Sequence, residues 1–162
     1  MSRLDSMIRR LEAQRACLAA ATESVRELPG AFLELGLGNG RTYDHLRELA
    51  PKREIFVFER SPAAHPACTP ADEFLVEGDF TETLAQKKTQ LEGSAVLAHC
   101  DIGSGVKKRD VELASAISSD LDALLCSEAI VLSDQEFDRA NWRPVSTPKS
   151  VEPGRYFMYR KV

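Results

Sequence analysis

The constraint that reaches furthest in this sequence is an alternation. Five short apolar runs, AFLEL (31–35), EIFVFE (54–59), EFLVEGD (73–79), SAVLAHCD (94–101) and EAIVLSD (128–134), have the length of buried strands. Segments of helical character stand between them: RTYDHLRELA (41–50), TETLAQKKTQL (81–91) and an amphipathic stretch over 108–125. Ser61–Asp72 holds three prolines and no period, which predicts mainly a loop with at most one short helical turn. The tail adds WRPV (142–145) and RYFMYRKV (155–162), two strands joined by a loop with Pro148, Pro153 and Gly154. A helix between two strands returns the chain to the same end of the sheet, so the strands pair in parallel. The pattern predicts an α/β chain: a three-layer, doubly wound, mostly parallel sheet with helices on both faces.

A further helix is expected over residues 2–27, where Leu4, Met7, Ile8, Leu11, Arg15 and Leu18 recur at spacings of three and four. Ser2 is the expected N-cap, with Asp5 at the third helical position as a variant capping box. Pro29-Gly30 ends the helix. The 162 residues suit a single domain over 1–162, divided into an N-terminal helical extension (1–28) and a core (30–162). The extension either closes over a site as a lid or pairs with a second copy in a homo-oligomer.

Composition narrows the partners. The net charge of −4 gives no basic excess, so broad gripping of a nucleic-acid backbone is not expected. Lys87, Lys88, Lys107, Lys108 and Arg109 read as solvated faces. Cys17, Cys68, Cys100 and Cys126 have no zinc-ligand spacing and read as buried free thiols in a reducing compartment. No stretch approaches the roughly 20 apolar residues of a membrane span, and the short CLAAA run does not make a signal-peptide core. A cytoplasmic protein with no membrane partner is expected.

In open parallel sheets, ligands bind outside the carboxyl ends of the strands. Here those ends carry Glu34 with Gly36, then Glu59, Asp79, Asp101 and Asp134. The first of them opens ELGLGNGR, with glycines at 36, 38 and 40. Glycine lets a ligand approach the main chain, but the dinucleotide fingerprint is G-x-G-x-x-G, and here the third glycine comes one position early. Glu34 would repel a pyrophosphate and favour a cationic ligand.

E-x-G-x-G-x-G after a first strand resembles the first motif of class I S-adenosylmethionine-dependent methyltransferases. Glu59 stands 19 residues after Gly40, where that family carries the acid that binds both ribose hydroxyls. Gly78-Asp79 followed by Phe80 stands where the family has its adenine contacts. The resemblance covers roughly residues 30–162 and implies a Rossmann-like methyltransferase fold with an antiparallel C-terminal strand. It implies S-adenosyl-L-methionine as cofactor. By the same likeness the backbone of Gly36, Leu37, Gly38, Asn39 and Gly40 packs against the methionine part. Glu34 favours its ammonium, directly or through water, while Arg60 flanks the adenine, Asp79 accepts from the adenine amino group and Phe80 packs on the ring. Asp79 also reads as the N-cap of the next helix, and Glu59-Arg60 as a surface ion pair.

Catalysis is less defined. Asp101, in HCDIGSG, occupies the position nearest the transferring methyl in this family and is the candidate for orienting the acceptor or removing its proton. It reads equally as a turn-forming aspartate. His99 reads as a core histidine with a satisfied ring. Asp101, Asp134 and Gln135 resemble the magnesium site of catechol-type O-methyltransferases, with Gln135 in place of asparagine; the expectation is no metal, with that trio as the alternative. The D/N-P-P-Y/F/W motif is absent after the fourth strand. The resulting expectation is a methyltransferase acting on a small-molecule substrate. A non-catalytic cofactor-binding sensor or assembly subunit is the alternative, and an NAD-dependent oxidoreductase is opposed by Glu34 and the glycine spacing.

Overall fold

The computed structural model describes residues 2–162. Helix α1 (Arg3–Ser24) leads into β1 (Phe32–Leu35), α2 (Arg41–Leu49) and β2 (Ile55–Glu59). β3 (Leu75–Glu77), α3 (Phe80–Gln86), the single turn α4 (Lys88–Leu91) and β4 (Ala95–Cys100) follow. The chain closes with α5 (Lys107–Leu124), β5 (Leu125–Ser133), β6 (Trp142–Val145) and β7 (Phe157–Lys161). The seven strands form one sheet in the order β3-β2-β1-β4-β5-β7-β6. β1 to β5 run parallel, and β7 runs antiparallel to both of its neighbours. β6 lies at the edge, where Pro144 removes no ladder bond the sheet interior needs.

The parallel strands read as unbroken apolar runs because both faces are covered. On one face Leu33, Leu35, Phe56 and Phe58 pack with Leu84 of α3 and Ile117 and Leu121 of α5. On the other, Phe32, Val57, Leu97 and Ile130 pack with Cys17 and Leu18 of α1 and Leu46 of α2. The strand order reverses between β1 and β4. Their carboxyl ends, at Gly36 and Asp101, therefore flank the crevice of a doubly wound sheet.

Several boundaries differ from those the sequence predicts. Asp72–Phe74 forms a 3₁₀ turn and Asp79 caps α3, which leaves β3 only three residues of the expected 73–79. A second 3₁₀ turn, Pro66–Cys68, supplies the helical turn of the 61–72 loop. β5 begins at Leu125 rather than 128; Glu128 has φ 67°, and the β4–β5 register slips from Ala95–Leu125 to Leu97–Ile130.

The largest difference concerns α1. Its cap is as read, with Ser2 Oγ accepting from the Asp5 amide at 3.0 Å and Asp5 accepting from the Ser2 amide. Of the six residues that carry its period, only Leu18 is buried. Ala13, Gln14, Cys17, Leu18 and Ala21 are buried, whereas Leu4, Met7, Ile8 and Leu11 are exposed, Leu4 at 68%. The helix enters the core only from Ala13 onward, so the apolar residues of its first half mark no buried face.

Candidate active site

The loop from β1 to α2 takes its shape from three glycines with different roles. Gly36, Gly38 and Gly40 all have positive φ (90°, 50° and 76°). A Cβ on Gly36 would collide with the Asp101 carbonyl oxygen, and one on Gly40 with the Cys68 carbonyl, so these two permit close backbone packing. A Cβ on Gly38 would meet nothing within 4 Å, so that glycine faces open space.

Glu59, at the end of β2, closes onto this loop. One carboxylate oxygen accepts from the amides of Leu37 (2.9 Å) and Gly38 (3.3 Å), the other from Ser61 (3.0 Å). Asp79 accepts from the Thr81 hydroxyl (2.6 Å) and amide (3.0 Å), and these bonds hold its carboxyl below the usual range. Gly36, Glu59, Arg60, Asp79 and Phe80 line one side of a cavity of about 490 Å³. Asp101, Ile102, Gly103, Leu113 and the α5 entrance line the other. A smaller cavity of about 190 Å³ lies between α1 and the loop, bordered by Met7, Arg10, Leu11 and Gln14 on one side. Leu37, Gly38, Asn39, Arg41 and Thr42 form its other side, and Asp101 borders both cavities. Of the site residues singled out in the sequence, Glu34, Gly40, Gly78, Asp134 and Gln135 line neither.

Glu34 is fully buried behind the loop. Its carboxylate accepts from the Thr42 hydroxyl and bonds His99 Nδ1 at 2.7 Å. His99 Nε2 meets the Tyr156 hydroxyl at 2.7 Å, and Gln14 Nε2 lies 3.3 Å from that hydroxyl and 3.0 Å from Asp101 Oδ2. A polar chain thus runs Thr42–Glu34–His99–Tyr156–Gln14–Asp101 through the interior. Burial pushes His99 toward its neutral form, but the Glu34 carboxylate and its hydrogen bond outweigh this and raise its proton affinity. Burial holds the Tyr156 hydroxyl well above its ordinary range.

Arg10 bonds Asp101 and stands 3.9 Å from Asp134. Asp134 accepts from the amides of Ile102 (3.1 Å) and Gly103 (3.0 Å); burial and the neighbouring Asp101 charge raise its proton affinity. A Cβ on Gly103 would collide with Asp134 and crowd the Gln135 amide, so this corner is tightly packed. Among the described residues no group of three or more acids, histidines or cysteines is arranged to hold a metal ion. The cation facing Asp101 and Asp134 is the Arg10 guanidinium.

Sequence reasoning did not single out Arg10, Gln14, Thr42 or Tyr156. Gln14 carried a readable signal: it lies three residues after Leu11 and four before Leu18, a polar position on an apolar face. Tyr156 carried none.

A family model described as S-adenosyl-L-methionine methyltransferase matches residues 1–161. No curated protein matches the sequence. Among solved structures, an S-adenosyl-L-methionine methyltransferase from Silicibacter pomeroyi is 38% identical over 100% of this chain and 99% of its own, with TM-score 0.95. The Burkholderia thailandensis 1,6-didemethyltoxoflavin-N1-methyltransferase is 15% identical, covering 93% of this chain and 78% of its own, with TM-score 0.63. The fibrillarin/Nop5p complex contains a chain 14% identical, covering 93% and 83%, with TM-score 0.59. These last two likenesses show the fold alone.

Proposed function

The chain belongs to the S-adenosyl-L-methionine methyltransferase family, and from that premise we propose that it transfers the cofactor's methyl group to a small-molecule acceptor at Asp101. One observation carries the placement: two cavities meet at Asp101, beside the glycine loop and at the strand-order switch. The larger has room and chemistry for a nucleoside, with an acid at one end, an aromatic ring and a second acid at the other. Gly38 leaves open the space that a side chain would fill.

In this reading Glu59 accepts from the ribose hydroxyls, a bidentate use of one carboxylate. Asp79 accepts from the adenine amino group, Phe80 covers the ring, and Arg60 flanks it. The backbone from Gly36 to Gly40 runs along the methionine part. Glu34 acts from behind the loop through its field, since it is fully buried there and lines neither cavity. The cofactor, when bound, supplies an electrophilic methyl on sulfur, and the protein's task is orientation. Asp101 orients the acceptor and takes its proton where one must leave. The small second cavity supports a small acceptor. So does the same-fold Burkholderia enzyme, solved with 1,6-didemethyltoxoflavin and S-adenosylhomocysteine bound.

Parallel calorimetric titrations with S-adenosylmethionine and NAD test the reading. Binding of the first and not the second is expected; the reverse result sinks it. Glu59→Ala should weaken S-adenosylhomocysteine by about 1.5–3 kcal/mol, the scale of hydrogen bonds to a charged group. Unchanged affinity removes Glu59 from the site.

A further inference from the structure

Large apolar side chains in contact with water are few in this chain, and they are not scattered. Apart from Val106, Val111 and Val162, those among the described residues are Leu4, Met7, Ile8 and Leu11. These four fall three, four and seven positions apart on α1, so their side chains adjoin in one stripe. They precede Ala13, the first buried residue of the helix, so the core does not use them. Exposure falls along the stripe, from 68% at Leu4 through 47% at Met7 and 44% at Ile8 to 37% at Leu11. The less exposed end belongs to the smaller cavity: Met7 and Leu11 line it together with Leu37 and Asp101. The stripe and the acid at Asp101 are therefore parts of one continuous surface.

Two turns of helix offer too little apolar area for a stable contact between subunits, which removes roughly 800 Å² from each partner. A narrower occupant suits the stripe. We propose that the methyl acceptor is an amphiphile, with a polar end at Asp101 and an aliphatic body laid along Leu11, Met7, Ile8 and Leu4. From Leu4 to Leu11 the helix rises about 10 Å, the reach of roughly eight methylenes. Arg10 and Arg41 face the single carboxylate Asp101 in the cavity lining, an excess of positive charge, so the polar end is uncharged or anionic. The inference rests on the methyltransferase reading and narrows its acceptor.

The test uses the full-length chain at saturating S-adenosylhomocysteine, titrated with n-alkanoates of increasing length. Affinity should rise about twofold per methylene from butanoate to octanoate, the yield of half-burying each on one helix face, and level off at decanoate. In the double variant Leu4→Gln, Ile8→Gln, the gain from hexanoate to octanoate should vanish while butanoate binds as before. Both positions are exposed, so the variant keeps the fold. An absence of length dependence in the wild type, or a gain that the variant retains, overturns the proposal. n-Octylammonium should bind more weakly than octanoate; the reverse order overturns it as well. Sedimentation velocity separates the competing occupant: a wild-type dimer that the double variant splits assigns the stripe to a second copy and not to the acceptor. A wild type that does not bind S-adenosylhomocysteine sinks the function reading itself, whereas failure of the alkanoate series alone leaves that reading standing.

Discussion

At the scale of single residues, the glycine loop separates two kinds of constraint. Gly36 and Gly38 both sit at positive φ, where an L side chain costs about 1–2 kcal/mol. Only Gly36 also presses against backbone, at Asp101. Gly38→Ala should therefore fold, with its urea midpoint lowered by roughly that cost, while losing cofactor affinity because the new methyl enters the cavity. Gly36→Ala should lose several times more stability or fail to fold. Equal losses in the two would show that the backbone contact does not matter. The glycines, Glu59 and Asp79 were legible in the sequence because each lies at a strand end, a position fixed by the local pattern. The partner of Glu34 was not, because His99 lies 65 positions away and nothing near either residue announces the pair.

At the scale of elements, the C-terminal strand pair, already joined to β5 through β7, is tied to α5 at one carboxylate. Asp122 of α5 accepts from Trp142 Nε1 (2.7 Å) and Asn141 Nδ2 (2.9 Å), with Arg139 at 3.2 Å and Lys161 at 3.4 Å. Burial raises its carboxyl, but the Trp142 and Asn141 bonds and the Lys161 charge outweigh this and lower it. Asp122→Ala leaves those donors and cations without their acceptor and should cost about 2–4 kcal/mol. Trp142 is the single tryptophan, so its fluorescence reports the loss directly in a urea titration. A change below about 0.5 kcal/mol, the range of an ordinary surface substitution, would contradict the anchoring role. Helix α1 teaches a related lesson. Its period and cap were readable, yet its buried face was not, because burial depends on what the helix lies across.

At the scale of the whole molecule, stability depends on pH through groups from several elements. His99 is raised from its ordinary 6.5, so the stability it contributes is full below 6.5 and is lost as pH rises through its folded value. Asp122 is lowered from 3.8, so its contribution is full above 3.8 and is lost as pH falls through its folded value. Asp134 is raised and opposes Asp122 on the acid side. Urea unfolding of wild type and His99→Gln across pH 5 to 9 should therefore differ in slope on the alkaline side, with wild type falling more steeply. Parallel curves would remove the Glu34–His99 pair from the pH response.

The sequence by itself determined the layers, the parallel sheet, the glycine loop and the acids at the strand ends. These follow from local periodicity, from the conformational demands of a tight loop, and from the rule that a crossover helix forces parallel pairing. Only the tertiary structure decided which side chains meet. Gln14 reaches Asp101 across 87 positions and Tyr156 across 142. Those meetings depend on where α1 settles against the sheet, a choice made by packing over the whole face rather than by any local pattern. The sequence thus put the glycine loop and the acids at the strand ends, while the fold decided the strand order and set a helix and two cavities around them.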